Sequence, residues 1–212
     1  MITILVTGFG EFPGVRDNPS AALMRSLAAR RDHFARLGIR LETHVLPVVY
    51  AGLAARLCAL AADKTPDAIL HFGVAARRKI ISVETRARNC RHPGAADAQG
   101  ERPASGIIDA AGPETIAVRV PAARIVARLR AAGLAATLSH DAGRYLCNAT
   151  LYETLRMRRD VPAGFIHIPL PRRYRRTRDL AGIVAAAEIA IITITADLRR
   201  RQPVVPASPC GT

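Results

Sequence analysis

The 212-residue chain is half hydrophobic, which excludes a disordered protein and allows one large α/β core. Its net charge of +14 invites a nucleic-acid surface. That class is set aside: lysine stands only at 64 and 79, so the charge is almost all arginine, as a GC-rich coding sequence gives, and aromatics are only 4%.

The predicted elements alternate. Ile2 to Thr7 is a continuous β-branched run and reads as a buried strand, with a loop from Gly8 to Asp17. It is apolar from the start and lacks a basic leader, so no secretory signal is expected. Asn18-Pro19 opens a helix whose stripe is Leu23, Leu27, Phe34 and Leu37, ended by Gly38. Ile39 to Val45 alternates as a strand, Leu53, Leu57 and Leu60 mark a helix, and Ala68 to Gly73 is another buried strand. Ile80 to Asn89 is strand-like. The stretch from Cys90 to Pro113 is a long loop that covers a site or makes an interface. Pro121 opens a helix closed by Gly133. Strand Leu134–Ser139, helix Asn148–Arg158, strand Gly164–Ile168 and helix Asp179–Arg201 follow, and the tail 202–212 is expected to be loose. The apolar part of that last helix, Leu180 to Ala196, is short for a membrane span and carries Glu188, so it reads as a buried helix. This alternation predicts one α/β domain over 1–212 with a mostly parallel sheet and sites at the carboxyl ends of its strands.

The four cysteines, Cys58, Cys90, Cys147 and Cys210, show no C-x-x-C spacing, so no zinc site is predicted. No disulfide is expected in what reads as a reducing compartment. Gly8-Phe9-Gly10-Glu11-Phe12-Pro13 follows a strand, but proline replaces the third glycine of a dinucleotide loop. Phe9 and Phe12 either wall a small apolar pocket or plug the sheet edge. Ser139-His140-Asp141 spells a triad in letters only, because neighbours on a strand face opposite ways. His140 stays a rival base. Glu84 is either an exposed strand carboxylate paired with Arg86 or Arg88, or an acid that orients a histidine. The cluster Arg172, Arg173, Arg175, Arg176 and Arg178 is a solvated loop or an anion-binding surface. Cys147 sits where a strand gives way to a helix, a place that favours a thiolate, and the strand bearing His167 follows twenty residues on.

Together these segments resemble pyroglutamyl peptidase I, a cytosolic family of cysteine peptidases. The matching stretches are Thr7-Gly8-Phe9-Gly10-Glu11-Phe12 with Asn18-Pro19-Ser20, Glu84 with Asn89, Gly143-Arg144-Tyr145-Leu146-Cys147-Asn148, and Gly164-Phe165-Ile166-His167-Ile168-Pro169. The resemblance implies an α/β/α sandwich with a twisted sheet, a Glu84–Cys147–His167 triad, and hydrolysis of peptides that begin with pyroglutamate. It implies that Phe9 and Phe12 sandwich the lactam ring, with Val74 and Tyr145 at the pocket, and that N–H groups around Cys147 form an oxyanion hole. It implies no metal or cofactor, no membrane or nucleic acid, a cytoplasmic location and a homo-oligomer. Two departures stand out. Gly73-Val74-Ala75-Ala76-Arg77-Arg78 replaces the family's Gly-Gln-Ala-Gly-Gly-Arg, and an ungapped count puts Gly94 where the family has an arginine, which Arg88 or Arg91 would have to replace. The alternative to an active peptidase is a weakened relative that binds peptides or anions.

Overall fold

The computed structural model describes residues 1–12, 15, 17–170 and 176–201, with side chains of the last segment from 180 onward. The tail from Gln202, Cys210 and the side chains of the Arg172–Arg178 cluster lie outside the described residues.

The first strand, β1 (Ile2–Phe9), is buried along all eight residues, as its unbroken apolar run predicts. Asn18 caps α1 (Pro19–Ala28): its side chain accepts from the Ser20 N–H, and Pro19 fills the first helical position. The predicted first helix is in fact two, because Ala28 to His33 offers no large apolar residue to continue the stripe. The chain turns and starts α2 (Arg31–Arg36), which buries Phe34. Gly38 follows at φ +71°, the left-handed geometry that ends a helix. Next come β2 (Ile39–Leu46), α3 (Leu53–Lys64) and β3 (Ala68–Val74).

The predicted strand 80–89 is broken at Thr85. Its first half, β4 (Ile81–Glu84), joins the main sheet; its second, β5 (Arg86–Arg88), pairs antiparallel with β6 (Thr115–Ala117), an element the sequence did not announce. The Thr85 N–H and hydroxyl both donate to the Ser139 carbonyl and fix the break. The remaining elements are α4 (Ala122–Ala131), β7 (Ala136–Ser139), α5 (Leu146–Met157), β8 (Ala163–Ile168) and α6 (Arg176–Arg201).

The main sheet runs β2-β1-β3-β8-β4-β7. Every pairing is parallel except β4 with β8. Strand alternation sorts side chains to its two faces. Ile4 and Val6 of β1 join Leu23 and Leu27 of α1, Ile125 of α4 and Ile191 of α6. Leu5 and Phe9 face the other way, with Leu57 of α3 and Leu151 and Leu155 of α5. This is the predicted three-layer α/β/α arrangement. Within α6, the stretch from Leu180 to Arg201 is long and apolar enough to cross a membrane, and half of its most apolar window packs inside the protein. Ile183, Val184, Ile191 and Ile194 are its core contacts.

Candidate active site

The β4–β8 register sets the geometry. Ile81 and Val83 face the α1/α4/α6 core, so Ser82 and Glu84 face the α3/α5 side. Ser82 pairs with His167, which brings the Glu84 carboxylate to the imidazole. His167 Nδ1 lies 2.7 Å from Glu84 Oε1. Glu84 is fully buried and His167 nearly so. On the next strand Gly73 is the register partner of His167.

Cys147 reaches this spot from the helix layer. The helix starts at Leu146, two residues earlier than predicted, so the cysteine lies in the first turn of α5. First-turn N–H groups have no helical acceptor. Here they belong to Leu146, Cys147 and Asn148, while the Ala149 N–H closes onto the Tyr145 carbonyl. The sulfur sits above Gly73: a Cβ on that glycine would lie 2.9 Å from Cys147 Sγ and 2.8 Å from Phe165 Cζ. Only a residue without a side chain lets the sulfur come down beside the strand that bears the imidazole.

Cys147 and His167 open into one pocket of about 350 Å³, walled by Phe9, Phe12, Val48, Val74 and Tyr145. The four substrate-contact residues expected from the sequence are thus all at its wall, and Phe9 packs on Phe165 with ring centroids 6.3 Å apart. The Asn18-Pro19-Ser20 corner holds that wall: Ser20 Oγ accepts from the Phe9 N–H and the Asn18 amide donates to the Gly10 carbonyl. Arg77 and Arg78 also line the pocket, whereas Arg88, Arg91 and Gly94 do not. Arg91 instead donates to the Ile107 carbonyl. The rival base His140 is exposed and bonds the Thr85 hydroxyl through Nδ1 at 2.6 Å.

Burial raises the Glu84 carboxyl, but the hydrogen bond and charge of His167, with Ser139 and Arg78 close by, outweigh it and hold the group below its ordinary range. Burial lowers His167, against the opposing pull of Glu84. The sequence predicts an acidified Cys147 thiol from its helix-start position. The structure reverses this: burial, then the Glu84 charge, push the thiol up to about 12, despite help from its own backbone N–H and Arg78. The resting pair is therefore a neutral thiol beside a neutral imidazole.

Sequence reasoning missed three supports. Arg78 binds Glu84 Oε1 at 2.6 Å. Asn148 accepts from the Arg88 N–H and donates to the carbonyls of Arg88 and Cys90, which ties α5 to β5. Buried Asp97 accepts from the N–H groups of Tyr50, Gln99 and Glu101. With the bond from the Tyr145 hydroxyl to the Ala96 carbonyl, it docks the long 90–113 loop beside the Cys147 turn. The sequence shows only that these residues exist; their partners are 47 to 60 positions away for Asn148, Asp97–Tyr50 and Tyr145.

The chain matches known proteins over nearly its whole length. The pyroglutamyl peptidase family model covers residues 2–199. Pyrrolidone-carboxylate peptidase 2 of Photorhabdus laumondii is 35% identical over 89% of each chain, and the Gloeobacter violaceus pyrrolidone-carboxylate peptidase is 32% identical over 94% of this chain and 97% of its own. Among solved structures, pyrrolidone carboxyl peptidase from Thermus thermophilus superimposes with a TM-score of 0.79 at 34% identity, covering 89% of this chain and 98% of that one. A variant of the Pyrococcus furiosus enzyme reaches 0.84 at 25% identity, covering 93% and 100%. The chain is a member of the pyroglutamyl peptidase family.

Proposed function

We propose that this protein is a cysteine peptidase that removes pyroglutamate from the N-terminus of peptides. The observation that carries the reading is a thiol and a carboxylate-bound imidazole opening together into a small apolar pocket walled by two phenylalanines. With His167 Nδ1–H donating to Glu84, Nε2 is left as the base. Cys147 Sγ attacks the carbonyl of the pyroglutamyl group as His167 takes the thiol proton. The free N–H groups of the first turn of α5 stabilise the oxyanion. The C–N bond breaks, His167 returns the proton to the leaving amine, and water then hydrolyses the thioester with His167 again as base. A thiol pushed up to about 12 makes proton transfer part of the attack, so little thiolate waits in the free enzyme. A flat, neutral lactam suits the aromatic walls. The setting we infer is a cytoplasmic homo-oligomer.

Steady-state kinetics on pyroglutamyl and prolyl amides test the reading. Turnover of the pyroglutamyl amide with little of the prolyl one is expected. Val74 lines the pocket without offering a hydrogen bond, so Val74→Gln should raise kcat/KM by roughly two- to tenfold, the worth of one bond. No turnover by either protein overturns the peptidase reading and leaves a peptide-binding relative.

A further inference from the structure

Arg78 makes contacts that the three-residue mechanism does not use. It lies in the turn between β3 and β4. Its Nη1 donates to Glu84 Oε1 at 2.6 Å, and its Nη2 donates to the Asp141 carbonyl, also at 2.6 Å. Glu84 Oε1 is the same atom that faces His167 Nδ1. One carboxylate oxygen therefore serves two donors. Asp141, in turn, belongs to the segment that leads from β7 into the Cys147 helix. A single guanidinium thus joins the orienting carboxylate to the nucleophile's approach, with the two-pronged geometry that arginine has and lysine lacks.

We propose that Arg78 is a positioning residue for this reaction: it holds the Glu84 carboxylate in place against His167 and pins the Asp141–Cys147 turn to it. The proposal rests on the peptidase reading above. The charged groups that face His167 are Glu84 from β4, Arg78 from the β3–β4 turn and Asp141 from the turn before α5. After burial, which lowers its proton affinity, Glu84 and Asp141 raise it and Arg78 lowers it. At Cys147, burial and Glu84 raise the thiol while Arg78 lowers it. Arg78 thus offsets the Glu84 charge at both reacting groups. Without it, the buried carboxylate would favour a proton on each.

Two variants separate its two roles. Arg78→Gln removes the charge together with the fork; Arg78→Lys keeps the charge and loses the fork. The readouts are the pH profile of kcat/KM on a neutral pyroglutamyl amide and the pH dependence of Cys147 alkylation by iodoacetamide. In Arg78→Gln the acid limb should move up by about one pH unit, and the alkylation limb should move the same way. Its kcat should fall roughly tenfold or more, with KM within roughly threefold of wild type. In Arg78→Lys the acid limb should stay with the wild type while kcat falls, so this variant carries the test if the glutamine variant does not fold. Unmoved limbs in Arg78→Gln, a moved limb in Arg78→Lys, or a loss confined to KM would overturn the proposal. A wild type that leaves the amide intact removes the peptidase reading, and the alkylation limb still decides the role of Arg78.

Discussion

Two histidines lie on neighbouring strands of this sheet, buried on the same face, with Phe165 between them. Ring centroids put His71 6.1 Å and His167 4.7 Å from that phenylalanine. His71 has only neutral partners: the Thr7 hydroxyl on Nδ1 at 2.7 Å and the Thr154 hydroxyl on Nε2 at 3.0 Å. Burial drives it down to about 3, and nothing opposes the fall. His167 meets the same burial but has a carboxylate on Nδ1 and open space on its other side. Both nitrogens of His71 are committed, so it joins β1, β3 and α5 as a structural strut. Among the described residues nothing bonds the other nitrogen of His167, and the charge behind it lets the ring accept a proton. Desolvation alone gives a strut; desolvation with one anion and one free nitrogen gives a base.

The sharpest way to break the contrast is to make His167 resemble His71. Glu84→Gln gives it a neutral partner and permits the wrong tautomer. We expect kcat to fall roughly a thousandfold or more, with the far-UV circular dichroism unchanged. Activity within tenfold of wild type would mean that the carboxylate does not orient the ring.

The next largest effect concerns Gly73, on the strand that bears His71 and in register with His167. Gly73→Ala places a methyl against Cys147 Sγ and Phe165 at once. We expect kcat to fall by one to two orders of magnitude, because a misplaced nucleophile loses its near-attack geometry. Overpacking should also cost about 1–3 kcal/mol of stability in urea unfolding. Unchanged kcat would show that the sulfur does not need that approach.

The smallest effect is on stability alone. His71 stays neutral when folded down to about pH 3, whereas the unfolded chain takes a proton near its ordinary 6.5. Between those values the unfolded state binds more protons. His71 therefore costs no stability above pH 6.5, and its penalty grows as pH falls from there toward 3, by about 1.4 kcal/mol per unit at most. His71→Gln, which keeps a donor and an acceptor for the two threonines, should flatten the pH dependence of urea unfolding over that window. Equal slopes in the two proteins would show that His71 is not the group responsible.

Much of this was legible in the chain. Unbroken apolar strands predict the buried sheet, and the family resemblance names Glu84, Cys147 and His167 together. What stayed hidden depends on how segments turn against each other. Thr85 looks like any strand residue, yet its bonds to Ser139 split one predicted strand into two sheets. Arg78 stood at the end of a stretch whose departure from the family pattern was noted at Val74, with no role of its own. Its role exists only because the turn bearing it folds back over β4. Cys147 misled in the opposite direction. Its place in the helix suggested an acidic thiol, but a local dipole is a smaller effect than desolvation beside a carboxylate, and desolvation is not written in a nine-residue window.

Cys147 and Asn148 are consecutive. The atom that does the chemistry and the amide that grips the Arg88–Cys90 backbone share a single helical turn. The loop beyond Glu101 lies one step further off: the Asn148 grip, the Asp97 bonds and the Tyr145–Ala96 bond stand between it and the sulfur. A change of length confined to that far end is therefore absorbed before it reaches the reaction centre.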